Sequence, residues 1–147
     1  RGLGIAIKES FGTIVAQAAE VSLNDVGQLR IHRISAAVDP GEVINPEIAR
    51  AQIESAIVYG LTAALYGKIT VEKGRVLQSN FPDYPMLKLA DTPDIHVAFV
   101  ESGERIGGMG EVGLPPSAPA VCNAIYAATG RRIRQLPLAD QDLTTGV

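Results

Sequence analysis

The residues best suited to chemistry lie in one glycine-rich run, Gly107-Gly108-Met109-Gly110-Glu111-Val112-Gly113. Glu111 is the only charged residue from Gly107 to Ala120, and glycines and apolar side chains surround it. A carboxylate taken out of water has its pKa raised, which suits a general base working near neutral pH. Glycines give such a loop backbone freedom and let a ligand come close to the main chain. A plain glycine turn with a solvated carboxylate is the competing reading, since such turns are common connectors. A phosphate loop is a third and weaker one, because the Lys-Ser/Thr ending of that motif is missing. Gln52 is the second candidate. Its amide offers a donor and an acceptor together, on a helix face of small residues. The alternative for Gln52 is an ordinary solvent-facing helical glutamine.

Other reactive groups carry less. His32 and His96 sit in strand-like stretches, far apart and without metal-ligand spacing. Cys122 is the only cysteine, so an internal disulfide or a cysteine-held cluster within this chain is excluded. It reads as a small thiol buried in a helix. Arg131, Arg132 and Arg134 form a short basic patch beside a helix C-terminus, where they complement its dipole. The patch reads as structural or as a subunit contact. The 147 residues carry 13 Lys and Arg against 16 Asp and Glu, a net charge of −3. With no basic excess to neutralise phosphates, nucleic acid is not an expected partner. No apolar run reaches the roughly 20 residues of a membrane span. No secretory signal opens the chain. It starts at Arg1 on a strand-like segment, without Met, which points to a piece of something longer.

The elements that must hold these residues read as α+β. Leu3, Ile5 and Ile7 alternate with Gly4, Ala6 and Lys8, predicting a strand with the large residues on its buried face. Val15, Ala19, Val21 and Leu23 mark a second strand, with Gln17 on the same face. Asn24-Asp25-Val26-Gly27 is a hairpin turn. The third strand changes its apolar parity near Arg33, predicting a bulge or sharp bend. Together these strands predict an antiparallel meander. Asn45 as N-cap and Pro46 at the first helical position start a helix that runs to Tyr66 and stops at Gly67. Ile53, Ile57, Leu61, Ala64 and Leu65 form its apolar stripe, and Gln52, Ala56, Tyr59, Gly60 and Ala63 a second face open to close approach. A small hairpin turns at Glu72-Lys73-Gly74, an irregular proline-bearing stretch follows, and Ile95, Val97 and Phe99 make a further strand. Ser117 is placed to cap a second helix that ends at Gly130. The polar segment 131–147 is expected as a surface tail.

The ordered motifs resemble the molybdenum-binding subunit of molybdenum hydroxylases, the xanthine dehydrogenase and aldehyde oxidase family. They are Val38-Asp39-Pro40-Gly41-Glu42-Val43-Ile44-Asn45-Pro46, then Gln52-Ile53-Glu54, Gly60-Leu61 and Gly110-Glu111-Val112-Gly113. Pro116, Ala118-Pro119-Ala120, Asn123-Ala124-Ile125 and a closing Leu136-Pro137-Leu138 complete the pattern, and 59 residues separate Gln52 from Glu111. Glu9-Ser10-Phe11-Gly12-Thr13 with Ala19-Glu20-Val21 resembles the isoquinoline oxidoreductase and bacterial aldehyde dehydrogenase large subunits. Single motifs are weak, and their order and spacing over almost the whole chain are strong. Ser55-Ala56 and Tyr59 stand where the family usually has Gly-Gly and a second Gln, and Pro40 where it often has Cys.

The resemblance implies a fold and a set of roles. Residues 1–147 would be the C-terminal portion of a molybdopterin-binding domain, mainly an antiparallel sheet with two principal helices. Glu111 would be the catalytic base on a molybdenum-bound hydroxyl whose oxygen, drawn from water, attacks an aldehyde or N-heterocyclic aromatic. Gln52 would hydrogen-bond the pterin, and the backbone of Met109 and Gly110 would lie against it. No side chain of this chain would ligate the metal, which the pterin dithiolene holds. The cofactor would be the cytosine dinucleotide form, as in bacteria. The expected partners are the rest of the large subunit, an iron–sulfur small subunit, and a cytochrome or flavin subunit. A small molecule would be the substrate. The competing class is a non-catalytic assembly domain, or a degenerate homologue without molybdenum. The compartment is left open, because any twin-arginine export signal would precede Arg1.

Overall fold

The computed structural model describes residues 1–144. Its main sheet has the order β1-β2-β3-β6, from Gly2–Ser10 (β1), Thr13–Leu23 (β2), Leu29–Asp39 (β3) and Asp94–Phe99 (β6). The first three strands form the expected antiparallel meander. β6 pairs with β3 in parallel, which requires a crossover. Helix α1, Pro46–Tyr66, lies within that crossover. A two-residue hairpin, β4 (Val71–Glu72) and β5 (Arg75–Val76), lies in the same connection. Helix α2, Ser117–Thr129, packs over β1 and β2 and touches α1. The mainly antiparallel sheet with two helices is therefore observed, with one parallel pair.

Local signals explain the elements that match expectation. Asn45 caps α1 by accepting a hydrogen bond from Ile48 N at 3.1 Å, Pro46 occupies the first position, and the helix stops at Gly67. The pairing of β2 with β3 shifts register between Glu20 and Val21, opposite Arg33 and Ile31, which leaves His32 as the extra residue of a bulge. That is where the parity change fell. The core joins Val15, Ala19 and Val21 of β2 and Ile34 and Val38 of β3 to Ile53, Ile57 and Leu61 of α1 and Val121 and Ile125 of α2.

Three expectations need correction. On β1 the faces are reversed: Gly2 and Gly4 are buried, while Leu3, Ile5 and Ile7 are about two-thirds exposed. The cause is α2. A side chain at Gly2 would strike Ala124 O and Ala128, and one at Gly4 would strike Ala124 N and Ala120 O. Helix and strand meet almost backbone to backbone, and only glycines fit between them. Asn123 completes the contact by donating to Ile5 O at 2.9 Å. Second, Ser117 is not the cap of α2, which has Pro116 at its N-cap and no side-chain cap. Its hydroxyl is committed to the loop described below. Third, the tail is not wholly superficial. Leu138 and Leu143 enter the core, and Lys68 Nζ pairs with Asp140 at 2.6 Å. The last three residues of the expected tail, 145–147, lie outside the described residues.

Candidate active site

The glycine-rich loop runs from the end of the 100–106 segment into α2, and it is tied down on several sides. At its start, Gly107 N donates to Pro40 O at 2.9 Å and Gly108 N donates to Phe11 O at 2.8 Å. The Thr13 hydroxyl donates to Gly108 O at 2.7 Å. At its end, Gln17 Nε2 donates to Gly113 O at 2.5 Å, and the Ser117 hydroxyl lies 3.0 Å from both Gly113 O and Gln17 Oε1. Thr13, Gln17 and Ser117 are all essentially fully buried. A buried amide, hydroxyl and carbonyl that satisfy one another are rigid. Removing one member leaves the others unpaired, at a cost of about 1–3 kcal/mol.

Helix α1 braces the same loop through small residues. A Cβ at Gly113 would come within 3.0 Å of Ile53 O, and one at Gly60 would meet Leu114 O at 2.8 Å and Ser117 Oγ at 2.9 Å. The small face of α1 therefore admits the loop itself. It also divides: Ala56 and Gly60 are buried under the loop, whereas Gln52, Tyr59 and Ala63 are exposed.

A second set of ties holds the approach to the loop. Asp39 Oδ1 accepts from Ser102 Oγ at 2.8 Å and from Gly41 N at 3.0 Å. The Ser102 hydroxyl first, and then the Gly41 N–H, hold the Asp39 carboxyl below its ordinary pKa. Gly41, at φ 85°, has no room for a side chain because Glu104 O and Arg105 O lie against it. The Asp39-Pro40-Gly41 turn thus anchors residues 102–107.

Gln52 and Met109 are brought together. They line one shallow, largely apolar groove of about 230 Å³ with Val43, Ile44, Ile48 and Ile106. Gln52 is exposed on the wall of this groove, so its amide is accessible, and Met109 is half-buried. Gly110 and Glu111 follow directly and are exposed. The apolar enclosure expected around Glu111 is not built by the described residues. Its flanking glycines cover nothing, and Val112 turns into the core instead. Around Gly110 a Cβ would have no neighbour within 4 Å, and the residue has no positive φ. The fold places no demand for glycine at that position.

The other candidates fall elsewhere. His32 Nε2 lies 2.7 Å from Ser22 Oγ at the far end of the sheet, and His96 is exposed on β6. Among the described residues no three His, Cys, Asp or Glu side chains are grouped to hold a metal ion. Cys122 is half-buried, and desolvation pushes its thiol upward in pKa. Arg132 stacks on Tyr126 at 3.7 Å from the ring centre, a cation–π contact that accounts for part of the basic patch. Sequence reasoning missed Thr13, Asp39 and Ser117 as loop anchors and noted Gln17 only as an inward-facing residue. For Thr13 and Gln17 the available signal was a polar side chain on the core face of a strand; Asp39 and Ser117 carried no such signal.

Residues 7–93 match the family model described as molybdopterin cofactor-binding domain. Isoquinoline 1-oxidoreductase subunit beta of Brevundimonas diminuta is 40% identical over 137 residues, 92% of this chain and 18% of that protein. The aldehyde oxidoreductase molybdenum-binding subunit of Escherichia coli K12 is 31% identical over 135 residues, 86% of this chain and 18% of that protein. Among solved structures, quinoline 2-oxidoreductase from Pseudomonas putida 86 superposes with a TM-score of 0.70 at 26% identity, over 78% of this chain and 16% of that one. The chain thus spans about a fifth of the length of the curated relatives it matches.

Proposed function

This chain belongs to the molybdopterin cofactor-binding domain family, and on that premise we propose that it forms one wall of the active site of a molybdenum-dependent oxidoreductase. The reaction class is oxidative hydroxylation of an aldehyde or an N-heterocyclic aromatic, with water as the oxygen source. Relatives named for isoquinoline, aldehyde and nicotinate oxidation support that class over a non-catalytic assembly domain.

The observation that carries the reading is Gly110. Its glycine is not required by φ or by packing, yet it sits between Met109 of the groove and Glu111. A ligand that must pass against the main chain is what such a glycine serves. The groove residues fit a pterin: Gln52 offers a paired donor and acceptor to a heterocycle edge, and Met109 with Ile48 and Ile106 offers apolar surface to its face. When bound, the molybdenum cofactor supplies the two-electron oxidant and the position from which oxygen is delivered. Glu111 takes up the proton as general base. Glu111 is exposed in this chain, so the enclosure around it would come from cofactor and from chain outside these residues. Gln52 holds the pterin in orientation, and the backbone of Met109 and Gly110 lies along it. The cofactor form is the cytosine dinucleotide. Electrons leave through an iron–sulfur subunit and on to a cytochrome or flavin subunit, a reading supported by relatives that are themselves named as subunits.

Metal and pterin analysis of the full-length complex tests the reading. Molybdenum and pterin in equal amounts per large subunit are expected, with lower occupancy in Gln52→Ala. A wild-type complex without molybdenum overturns the proposal, and unchanged occupancy in the variant removes Gln52 from it.

A further inference from the structure

Strand β2 holds both ends of the Glu111 loop with two side chains, four residues apart, on its buried face. Thr13 donates to the carbonyl of Gly108, and Gln17 to the carbonyl of Gly113. Both side chains lie inside the core among Val15, Ala19 and Val21, where an unpaired polar group is costly. Their partners are 95 and 96 residues away in sequence. Local folding therefore does not account for them; they pair only once the loop is seated.

The two anchors lie about 13 Å apart along the strand. The five residue-to-residue steps from Gly108 to Gly113 span at most roughly 17 Å when extended. Little slack remains for the four residues between them, Met109, Gly110, Glu111 and Val112. Each anchored carbonyl is also fixed from a second side. Gly108 is held through its own N–H by Phe11 O, and Gly113 by Ser117 and by contact with Ile53 of α1. Glu111 O accepts from Leu114 N at 3.0 Å, which carries the restraint at Gly113 back to the carboxylate-bearing residue.

We propose that Thr13 and Gln17 are positioning residues that together set the reach of the Glu111 carboxylate and the path of the Met109–Gly110 backbone. The inference rests on Glu111 being the base, as set out above. Neither side chain touches the reacting atoms. A base displaced by about 1 Å can lose on the order of 100-fold in rate, so the clamp has catalytic leverage without contact.

The test uses the full-length, cofactor-loaded enzyme. Thr13→Val and Gln17→Leu keep approximate shape and remove the donors, while Thr13→Ser keeps the hydroxyl. Expected for the first two are a kcat lower by about 10- to 100-fold, KM within a few-fold, molybdenum per subunit near wild type, and faster amide exchange at residues 109–113. Thr13→Ser should restore both kcat and slow exchange. Glu111→Gln and Glu111→Gln combined with Thr13→Val provide the reference, and the double variant should lose no more than Glu111→Gln alone. If Glu111→Gln is inactive but Thr13→Val and Gln17→Leu turn over normally, the clamp is wrong and the base assignment stands. If Glu111→Gln retains turnover, the base assignment fails, and amide exchange alone then decides whether the loop is clamped. A fall in kcat that only matches lost molybdenum makes both residues structural and overturns the proposal. Should Gln17→Leu fail to assemble, the comparison of Thr13→Val with Thr13→Ser decides the matter.

Discussion

At the scale of single residues, the candidate site residues differ in how the fold surrounds them. Gln52 and Met109 share a groove, but Glu111 is open to water, because the enclosure expected from its apolar neighbours depends on where those neighbours turn. Val112 turns inward and the glycines cover nothing. Thr13 and Gln17 could not be read as anchors, since their partners enter the core from nearly 100 residues later. Asp39 offers a pH test of the outer anchor. Its folded pKa is depressed, so the stabilisation it contributes is present above the unfolded value of about 3.9 and is lost as pH falls through the lower folded value. Amide exchange at Gly41 and Gly103, taken relative to the intrinsic rate at each pH, should therefore rise in that acid window. In Asp39→Asn it should be raised already at neutral pH and respond less to acid. Gly110→Ala separates fold from function. It should change stability by no more than about 0.5 kcal/mol while lowering molybdenum occupancy, read from thermal unfolding and metal content.

At the scale of elements, legibility followed locality. Helix α1 was readable end to end because Asn45, Pro46 and Gly67 act on their own neighbours. The β3 bulge was readable because a parity change in one strand has few other causes. Strand β1 was read with the correct period and the wrong face. Alternation shows that two faces differ, not which one a helix will cover. Here α2 came so close that Gly2 and Gly4 had to face it, and Leu3, Ile5 and Ile7 were left outside. Gly4→Val should therefore destabilise the full-length subunit by about 3 kcal/mol or more, since helix backbone cannot retreat as a side chain can. A melting temperature within a degree of wild type would show that α2 does not pack this way.

At the scale of the whole molecule, the chain presents an apolar sheet face, Leu3, Ile5 and Ile7 with Ile14, beside the free edge of β1. An unpaired edge next to exposed large apolar residues is an association hazard. Expressed alone, these 147 residues should self-associate in sedimentation velocity runs, and Ile5→Lys with Ile7→Lys should raise the monomer fraction. Glu111 poses the related question for function. Under the proposed reading, the exposed Glu111 would be enclosed only within the complete enzyme, by cofactor and neighbouring chain. The most direct measurement is therefore turnover of the full-length enzyme carrying Glu111→Gln, with molybdenum and pterin measured on the same sample. The account predicts turnover lower by at least about 100-fold with cofactor content near wild type. Turnover within a few-fold of wild type at equal molybdenum would contradict it.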